Sequence, residues 1–459
     1  MNKKLVDFFN VDLSKYKPEI KVSCGNRVED LVEGFIASLD TIFYVGSFLP
    51  AFKQFAALAV AAGNHSLGFK FPENAVAEGP GVISQIGDFA AKNGWKKALI
   101  VTDKNMVKFG QVTKVTESLT KAGVGYAIYD GVVPDPTIEN IEGGYKTYLE
   151  NGCDVIIGLG GGSPIDTCKA VAGRVVRPAR KPDKMGGLFG VTLPDVQWIF
   201  KKPANYPKTI CIPTTSGTGA DTTFSSVISN RRTGRKYTIN DTSLQPDYTF
   251  LDPELSVTMD PEMTALTGID ALSHCVEAYL GIGRTRKSNK LSREGIKLIF
   301  DNLDTAVAEP DNIQARENMM IAAHKGGQVL ITGETTYVHP FAHKVGAMTH
   351  LTHGYLIGSF MPPILEWYRP QADKRLAELA ELIGVADPIL SVEDNAEAFI
   401  QAIRELCAKY GIDGKVPQIA TLDYKEIIKS IRIESFPYPV PKVMTNDEMI
   451  AILDEVAGK

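Results

Sequence analysis

The chain has 459 residues, 44% of them hydrophobic and 22% charged, with a formal net charge of −5. That length predicts two or three domains with large buried cores, and an acidic balance without basic runs excludes a general nucleic-acid or anionic-membrane binder. The cysteines, Cys24, Cys153, Cys168, Cys211, Cys275 and Cys407, form no C-x-x-C pair, which excludes a disulfide framework and cysteine-held zinc and suits a reduced, cytoplasmic compartment.

Residues 1–67 read as a helical extension. The opening MNKKLVDFFNVDLSKYK lacks the continuous apolar run of a signal peptide. Residues 35–63 are apolar, but Asp40, Pro50 and Lys53 interrupt every window of about 18 residues that a membrane span needs. The expectation there is two buried or interface helices broken near Pro50, covering a subunit interface, a partner surface or the mouth of a site.

From about residue 68 the pattern becomes regular. Lys96–Asp103 (KKALIVTD) predicts a buried parallel strand, followed by helical sequence to about Gly123. Gly125–Val132 predicts a second strand, Thr137–Gly152 a helix, and Asp154–Leu159 a third strand leading through glycines into a helix that ends near Val175. Lys208–Pro213 and Asp247–Pro253 predict further strands, with a hairpin over Ser225–Asp241 turning at Arg231–Gly234. This alternation is that of a doubly wound, Rossmann-like parallel sheet, so residues 68–255 read as an α/β dinucleotide-binding domain. Beyond it, long amphipathic stretches predict an all-helical domain over 256–459.

Two loops have the chemistry of a phosphate site. Gly160-Gly161-Gly162-Ser163-Pro164-Ile165-Asp166 stands where a strand hands over to a helix; Ser163 is placed to cap that helix, Pro164 suits its first turn, and Asp166 falls at the capping-box position. A helix start beside close-approaching glycines offers free N–H groups and a positive dipole end to a pyrophosphate. Thr214-Thr215-Ser216-Gly217-Thr218-Gly219 follows a second strand end. Asp103 has two readings of equal weight: acceptor of ribose hydroxyls, favouring NAD over NADP, or cap of the next helix.

The histidines point to a metal. Asp270 and His274 lie four apart and share one helix face. His339 precedes Pro340 at a helix start, His343 follows one turn later, and His350 and His353 complete the cluster. One carboxylate with several imidazoles suits Fe²⁺ or Zn²⁺ and is too nitrogen-rich for Mg²⁺ or Ca²⁺. The alternative is a set of satisfied core or interface histidines.

In order along the chain, KKALIVTD, DGVVPDPT, GGGSPIDTCKA, PTTSGTGAD, GIDALSHCVEAY and the spacing His339-x3-His343-x9-His353-Gly354 closely resemble the iron-containing (group III) alcohol dehydrogenases, in their lactaldehyde reductase or 1,2-propanediol oxidoreductase branch. The resemblance covers residues from about 68 to the end and implies that family's fold, shared with the dehydroquinate synthases. It implies metal ligation by Asp270, His274, His339 and His353, with iron ahead of zinc, and proton relay through His343. For NAD(H), ahead of NADP(H), it implies a site of Asp103, Asp135, Gly161, Gly162, Ser163, Asp166, Thr214, Thr215 and Thr218, with Lys236 at the nicotinamide ribose. The implied reaction is hydride transfer between nicotinamide and a small primary alcohol, diol or aldehyde, in a homodimer or larger homo-oligomer.

Three departures stand out. Gly333-Glu334-Thr335-Thr336-Tyr337 replaces a small, glycine-rich stretch before the third ligand, Val440-Pro441-Lys442 replaces a common Asn-Pro-Arg, and residues 1–67 match nothing in the family core. Glu334 is thereby placed either to select a hydroxyl- or amine-bearing substrate or to pair with a lysine. The competing functions are other chemistry of the superfamily (glycerol or hydroxyacid dehydrogenase, dehydroquinate synthase-like elimination) and a non-catalytic scaffold.

Overall fold

A computed structural model describes residues 74–178, 205–230, 235–436 and 438–459. The helices expected within residues 35–63 and the hairpin turn at 231–234 lie outside the described residues, as does Cys24; the other five cysteines are buried free thiols.

The amino-terminal half is built on six parallel strands: β1 (Ala75–Glu78), β2 (Lys97–Asp103), β3 (Gly125–Val132), β4 (Val155–Gly160), β5 (Lys208–Pro213) and, last in the chain of this sheet, β8 (Tyr248–Leu251). Their order is β1-β8-β5-β4-β2-β3. β6 (Ser225–Asn230) and β7 (Arg235–Asn240) form the expected antiparallel hairpin apart from the sheet. β1 has no counterpart in the sequence reading: it is only four residues, AVAE, at the sheet edge, too short and too exposed to carry a buried-strand pattern.

Every residue of β4 is buried, as a central parallel strand covered on both faces requires. One face packs Ile157 and Leu159 with Ile100 and Val115, and the other packs Ile156 with Leu99 and Val171. Each such side chain contributes roughly 1.5–3 kcal/mol by leaving water. The covering helices include α1 (Ile86–Lys92), α2 (Lys104–Lys108), α3 (Gln111–Lys121), α4 (Ile138–Asn151) and α5 (Gly162–Val176). The helical sequence after β2 is two helices rather than one, because Gly110 takes the left-handed conformation (φ 72°) between them.

The strand order reverses between β2 and β4, since β2 leads outward to β3 while β4 leads the other way toward β5. In such sheets a ligand binds outside the carboxyl ends of the strands at that crevice. Asp103 ends β2 and the glycine loop ends β4, so both flank it.

Beyond β8 the described chain is helical: α6 (Pro261–Leu280), α7 (Arg286–Ala308), α8 (Ile313–Gly333), α9 (Val338–Thr349), α10 (His353–Ile383), α11 (Val392–Lys409), α12 (Tyr424–Glu434) and α13 (Asn446–Ala457). α6 runs through the middle, with every residue from Gly268 to Leu280 buried. Its core cluster joins Leu272, Val276, Phe341, Phe360 and Phe399 from four helices. No helix among the described residues is long and apolar enough to cross a membrane.

Candidate metal centre and nucleotide crevice

Helical periodicity puts Asp270, His274 and Glu277 on one face of α6, at steps of four and three residues. His339 enters from the first turn of α9, and His353 is the first residue of α10. Oδ1 of Asp270 lies 3.7 Å from Nε2 of His274, 3.6 Å from Nε2 of His339 and 3.4 Å from Nε2 of His353. Nε2 of His274 and His339 are 3.0 Å apart, with the rings stacked at 19°.

Asp270, His339 and His353 offer ligand atoms that all fall within 4.8 Å of one another. His274 joins through its short approaches to Asp270 and His339. The sequence thus assembles a four-member O/N set whose separations resemble the roughly 3.4 Å between neighbouring ligands of a tetrahedral ion with bonds near 2.1 Å. A buried oxygen supports the fit, for Oδ1 of Asp270 makes no hydrogen bond among the described residues although imidazoles face it on three sides.

The sequence reading missed Glu277. It is fully buried, and Oε1 accepts from Nδ1 of His339 at 2.5 Å. Oε2 accepts from the backbone N–H of Thr336 at 2.7 Å, the Thr336 hydroxyl at 2.8 Å and the N–H of Val338 at 3.2 Å. Glu277 therefore fixes both the tautomer of His339 and the chain that delivers it, as a carboxylate behind a metal-facing imidazole does. The available signal was its place three residues after His274.

Among the protein groups alone, the cluster is strongly polarised. Burial works to raise the Asp270 carboxyl, but His274, His353 and His339 override it and hold it well below the ordinary carboxylate range. Burial takes His274 down to about 4. Burial also opposes charge on His339, yet Glu277 and Asp270 push it up to about 10. Such a set holds a cation's counter-charge ready in a dry pocket.

His343 stands beside the cluster, its ring stacked on His353 at 5.1 Å between centroids and 5.7 Å from His339. Nδ1 bonds Oε1 of Glu434 at 2.6 Å, so a carboxylate from α12 orients this imidazole too. His350 takes no part: it is exposed at the end of α9 in the left-handed conformation, φ 60°. His324, which no spacing singled out, is buried elsewhere, with Nδ1 2.6 Å from Oδ2 of Asp221. That pair ties α8 to the loop after β5.

At the crevice, the glycines meet the threonines. Gly160 has φ 141°, and a β-carbon there would lie 2.7 Å from Pro164. A β-carbon on Gly162 would lie 2.9 Å from the Thr218 side chain and push it aside, while the backbone angle at Gly160 favours glycine outright. The N–H of Thr214 bonds the carbonyl of Gly160 at 3.0 Å, joining the two loops. Asp103 is a helix cap in fact, accepting from Asn105 and Met106 N–H at 2.8 and 3.2 Å, while its other oxygen lies toward Gly160. Asp135, in the turn after β3, has φ 55°.

One expectation is corrected. α5 is capped by Gly161, not by Ser163, and no side chain caps it. Asp166 is instead spent inside the protein: one oxygen pairs with the fully buried Lys169 at 2.9 Å, and the other accepts the N–H of Val227 at 3.0 Å. Lys169 also donates to the carbonyl of Ala220 at 2.8 Å. Extending the helix two residues earlier moves Ser163 into its first turn, and the uncapped N–H groups remain for an anion. Lys236 lies in β7; its side chain is outside the described residues.

Known proteins share this architecture. The family model for iron-containing alcohol dehydrogenases matches residues 73–253, and that for the carboxy-terminal domain of the Fe-containing family matches 264–457. The chain is 32% identical to Escherichia coli lactaldehyde reductase over 336 residues, covering 73% of this chain and 84% of that one. It is also 32% identical to the NAD-dependent methanol dehydrogenase of Bacillus methanolicus over 334 residues, with the same coverages of 73% and 84%. The crystal structure of a 1,3-propanediol oxidoreductase superposes with a TM-score of 0.78 at 30% identity, covering 84% of this chain and 99% of that one. The chain belongs to the iron-containing alcohol dehydrogenase family, and its chemistry is alcohol–aldehyde oxidoreduction.

Proposed function

We propose that this enzyme transfers hydride between NAD(H) and a small primary alcohol, diol or aldehyde, with a divalent cation held by Asp270, His274, His339 and His353. The observation that carries this is the convergence of three imidazoles on one unbonded, buried carboxylate oxygen, with Glu277 aligning His339 from behind. Iron is the first candidate and zinc the second, because the O/N set accepts both. The cation, when bound, supplies Lewis acidity toward the alcohol or carbonyl oxygen.

The chain's own residues do the rest. The free N–H groups at the start of α5, with Gly161, Gly162 and Ser163, bind the pyrophosphate, and Thr214, Thr215 and Thr218 close over it. Asp103 accepts the ribose hydroxyls and repels a 2′-phosphate, which favours NAD(H) over NADP(H). Asp135 and Lys236 complete the nucleotide site, and Asp166 serves it indirectly by holding the β6–β7 hairpin. His343, oriented by Glu434, takes the alcohol's proton through the nicotinamide ribose and gives it back in the reverse direction.

The domain reading follows: nucleotide binding over 68–255, catalysis over 256–459, and an extension over 1–67 that contacts a subunit or partner in a cytoplasmic homo-oligomer. Metal analysis joined to an NADH-oxidation assay over short aldehydes tests the proposal. Bound iron or zinc with NADH consumption is expected. A protein that holds no metal and leaves every aldehyde unreduced is a scaffold, and the reading fails.

A further inference from the structure

Glu334 occupies a position no carboxylate needs for the fold. It follows α8 directly, in the five-residue strap of residues 333–337 that leads into α9 and His339. Its backbone has φ 51° and ψ 178°, a region that side-chain-bearing residues avoid and glycine accepts. The strap is held by others: Thr336 by Glu277, and Gly333 by packing against Ala278 of α6. Glu334 contributes only its backbone N–H, bonded to the carbonyl of Leu330 at 3.3 Å.

Its carboxylate has no hydrogen-bond or ion-pair partner among the described residues, although it is largely shielded from water. No lysine among the described residues makes the pairing that the sequence left open. The shielding raises its proton affinity to about 7, tempered only by the His339 imidazole. Tyr438 feels the charge of Glu434 and of Glu334 in turn. The carboxylate is thus electrostatically coupled to His339 and Tyr438, and the Tyr438 hydroxyl lies 3.5 Å from Oε1 of Glu434, the oxygen that orients His343. A shielded acceptor without a partner, held at a strained backbone position beside the reacting centre, fits a group whose partner arrives with the substrate.

We infer that Glu334 is a specificity-determining residue, accepting a hydrogen bond from a hydroxyl that the substrate carries away from its reacting carbon and rejecting an anionic group at the same place. The inference rests on the oxidoreductase reading above. Charge decides the second half, since two carboxylates in a poorly hydrated pocket repel.

The test uses the metal-loaded enzyme and NAD⁺ with 1-propanol, 1,3-propanediol and 3-hydroxypropanoate, which differ only in bearing a methyl, a hydroxymethyl or a carboxylate opposite the reacting alcohol. Glu334→Gly suits the local backbone and removes the carboxylate. The ratio of kcat/KM for the diol over 1-propanol is expected to fall by about tenfold, the effect of losing one hydrogen bond to a charged group. Glu334→Gln keeps an acceptor without charge, so it should retain part of the diol preference while 3-hydroxypropanoate gains on 1-propanol. An unchanged diol ratio in Glu334→Gly overturns the inference. So does a parallel loss for all three alcohols with a lowered Tm, which a purely structural role predicts. A wild-type enzyme that reduces NAD⁺ with no alcohol, and consumes NADH with no aldehyde, overturns the oxidoreductase reading itself and is seen before any variant is made.

Discussion

Glu277 and His339 share a 2.5 Å hydrogen bond that turns Nε2 of the imidazole to within 3.6 Å of Asp270. The bond joins the last turn of α6 to the start of α9, and nothing else in the cluster is anchored so fully: all of the described side-chain hydrogen bonds of Glu277 go to His339 or to the chain just before it.

Glu277→Gln keeps the volume but weakens the acceptor and removes the charge. Metal affinity should fall between about tenfold and a hundredfold, the range for outer-shell partners of a metal-bound histidine. Competition with a chromophoric chelator measures it, and unchanged affinity would show that His339 needs no such partner.

Stripping the metal should also cost stability, because the imidazoles and Asp270 then face one another across a buried pocket. Ligand linkage predicts recovery of about 2.7 kcal/mol when free Fe²⁺ or Zn²⁺ reaches a hundred times its Kd. A chelator-treated sample should melt lower and regain Tm on titration with either ion. A melting curve indifferent to both ions would count against the four-residue site.

Asp103→Asn separates the two roles of Asp103. Asparagine caps a helix about as well as aspartate, so stability should hold, while the charge that repels a 2′-phosphate is gone. The NADPH-to-NADH ratio of kcat/KM should rise by roughly tenfold or more, given that 1.4 kcal/mol of charge repulsion is one decade. If the ratio stays put, Asp103 is a cap and nothing more.

His343→Gln should retain metal yet lose turnover by about a hundredfold or more, the lower range for a positioned acid–base group. Metal content and the pH profile of kcat, read together, distinguish relay from a folding defect.

Glu448 provides a pH test away from the site. Burial works to raise its pKa, but hydrogen bonds from Lys442 and Thr445 lower it to about 2. A depressed folded-state pKa stabilises above the unfolded value, near 4.3 for glutamate, and that contribution fades as pH falls toward about 2. The Tm difference between wild type and Glu448→Gln should therefore be full at pH 6 and shrink progressively below about pH 4. A difference that stays constant down to pH 3 would mean the pair carries no such linkage.

The chain's local periodicities determined a good deal without any tertiary structure. Buried runs such as DVIIGL read as central strands, Thr137 and Gly152 bracketed α4, and a step of four residues put Asp270 and His274 on one helix face. These are short-range consequences of strand and helix geometry, and they survive in any surroundings. Cap identity was less secure: Gly161 displaced Ser163 because packing of the glycine loop on Thr215 and Thr218 decides where α5 begins.

Only the tertiary structure decided which groups meet. Glu277 and His339 are 62 positions apart, His343 and Glu434 are 91, and Asp221 and His324 are 103. No pattern along the chain marks such partners, since their meeting depends on how α6, α8, α9 and α12 pack. Glu334 shows the same division. Its identity marked a departure from the expected glycine-rich strap, but its carboxylate's lack of a partner among the described residues and its positive φ became visible only once α8 ended against α6.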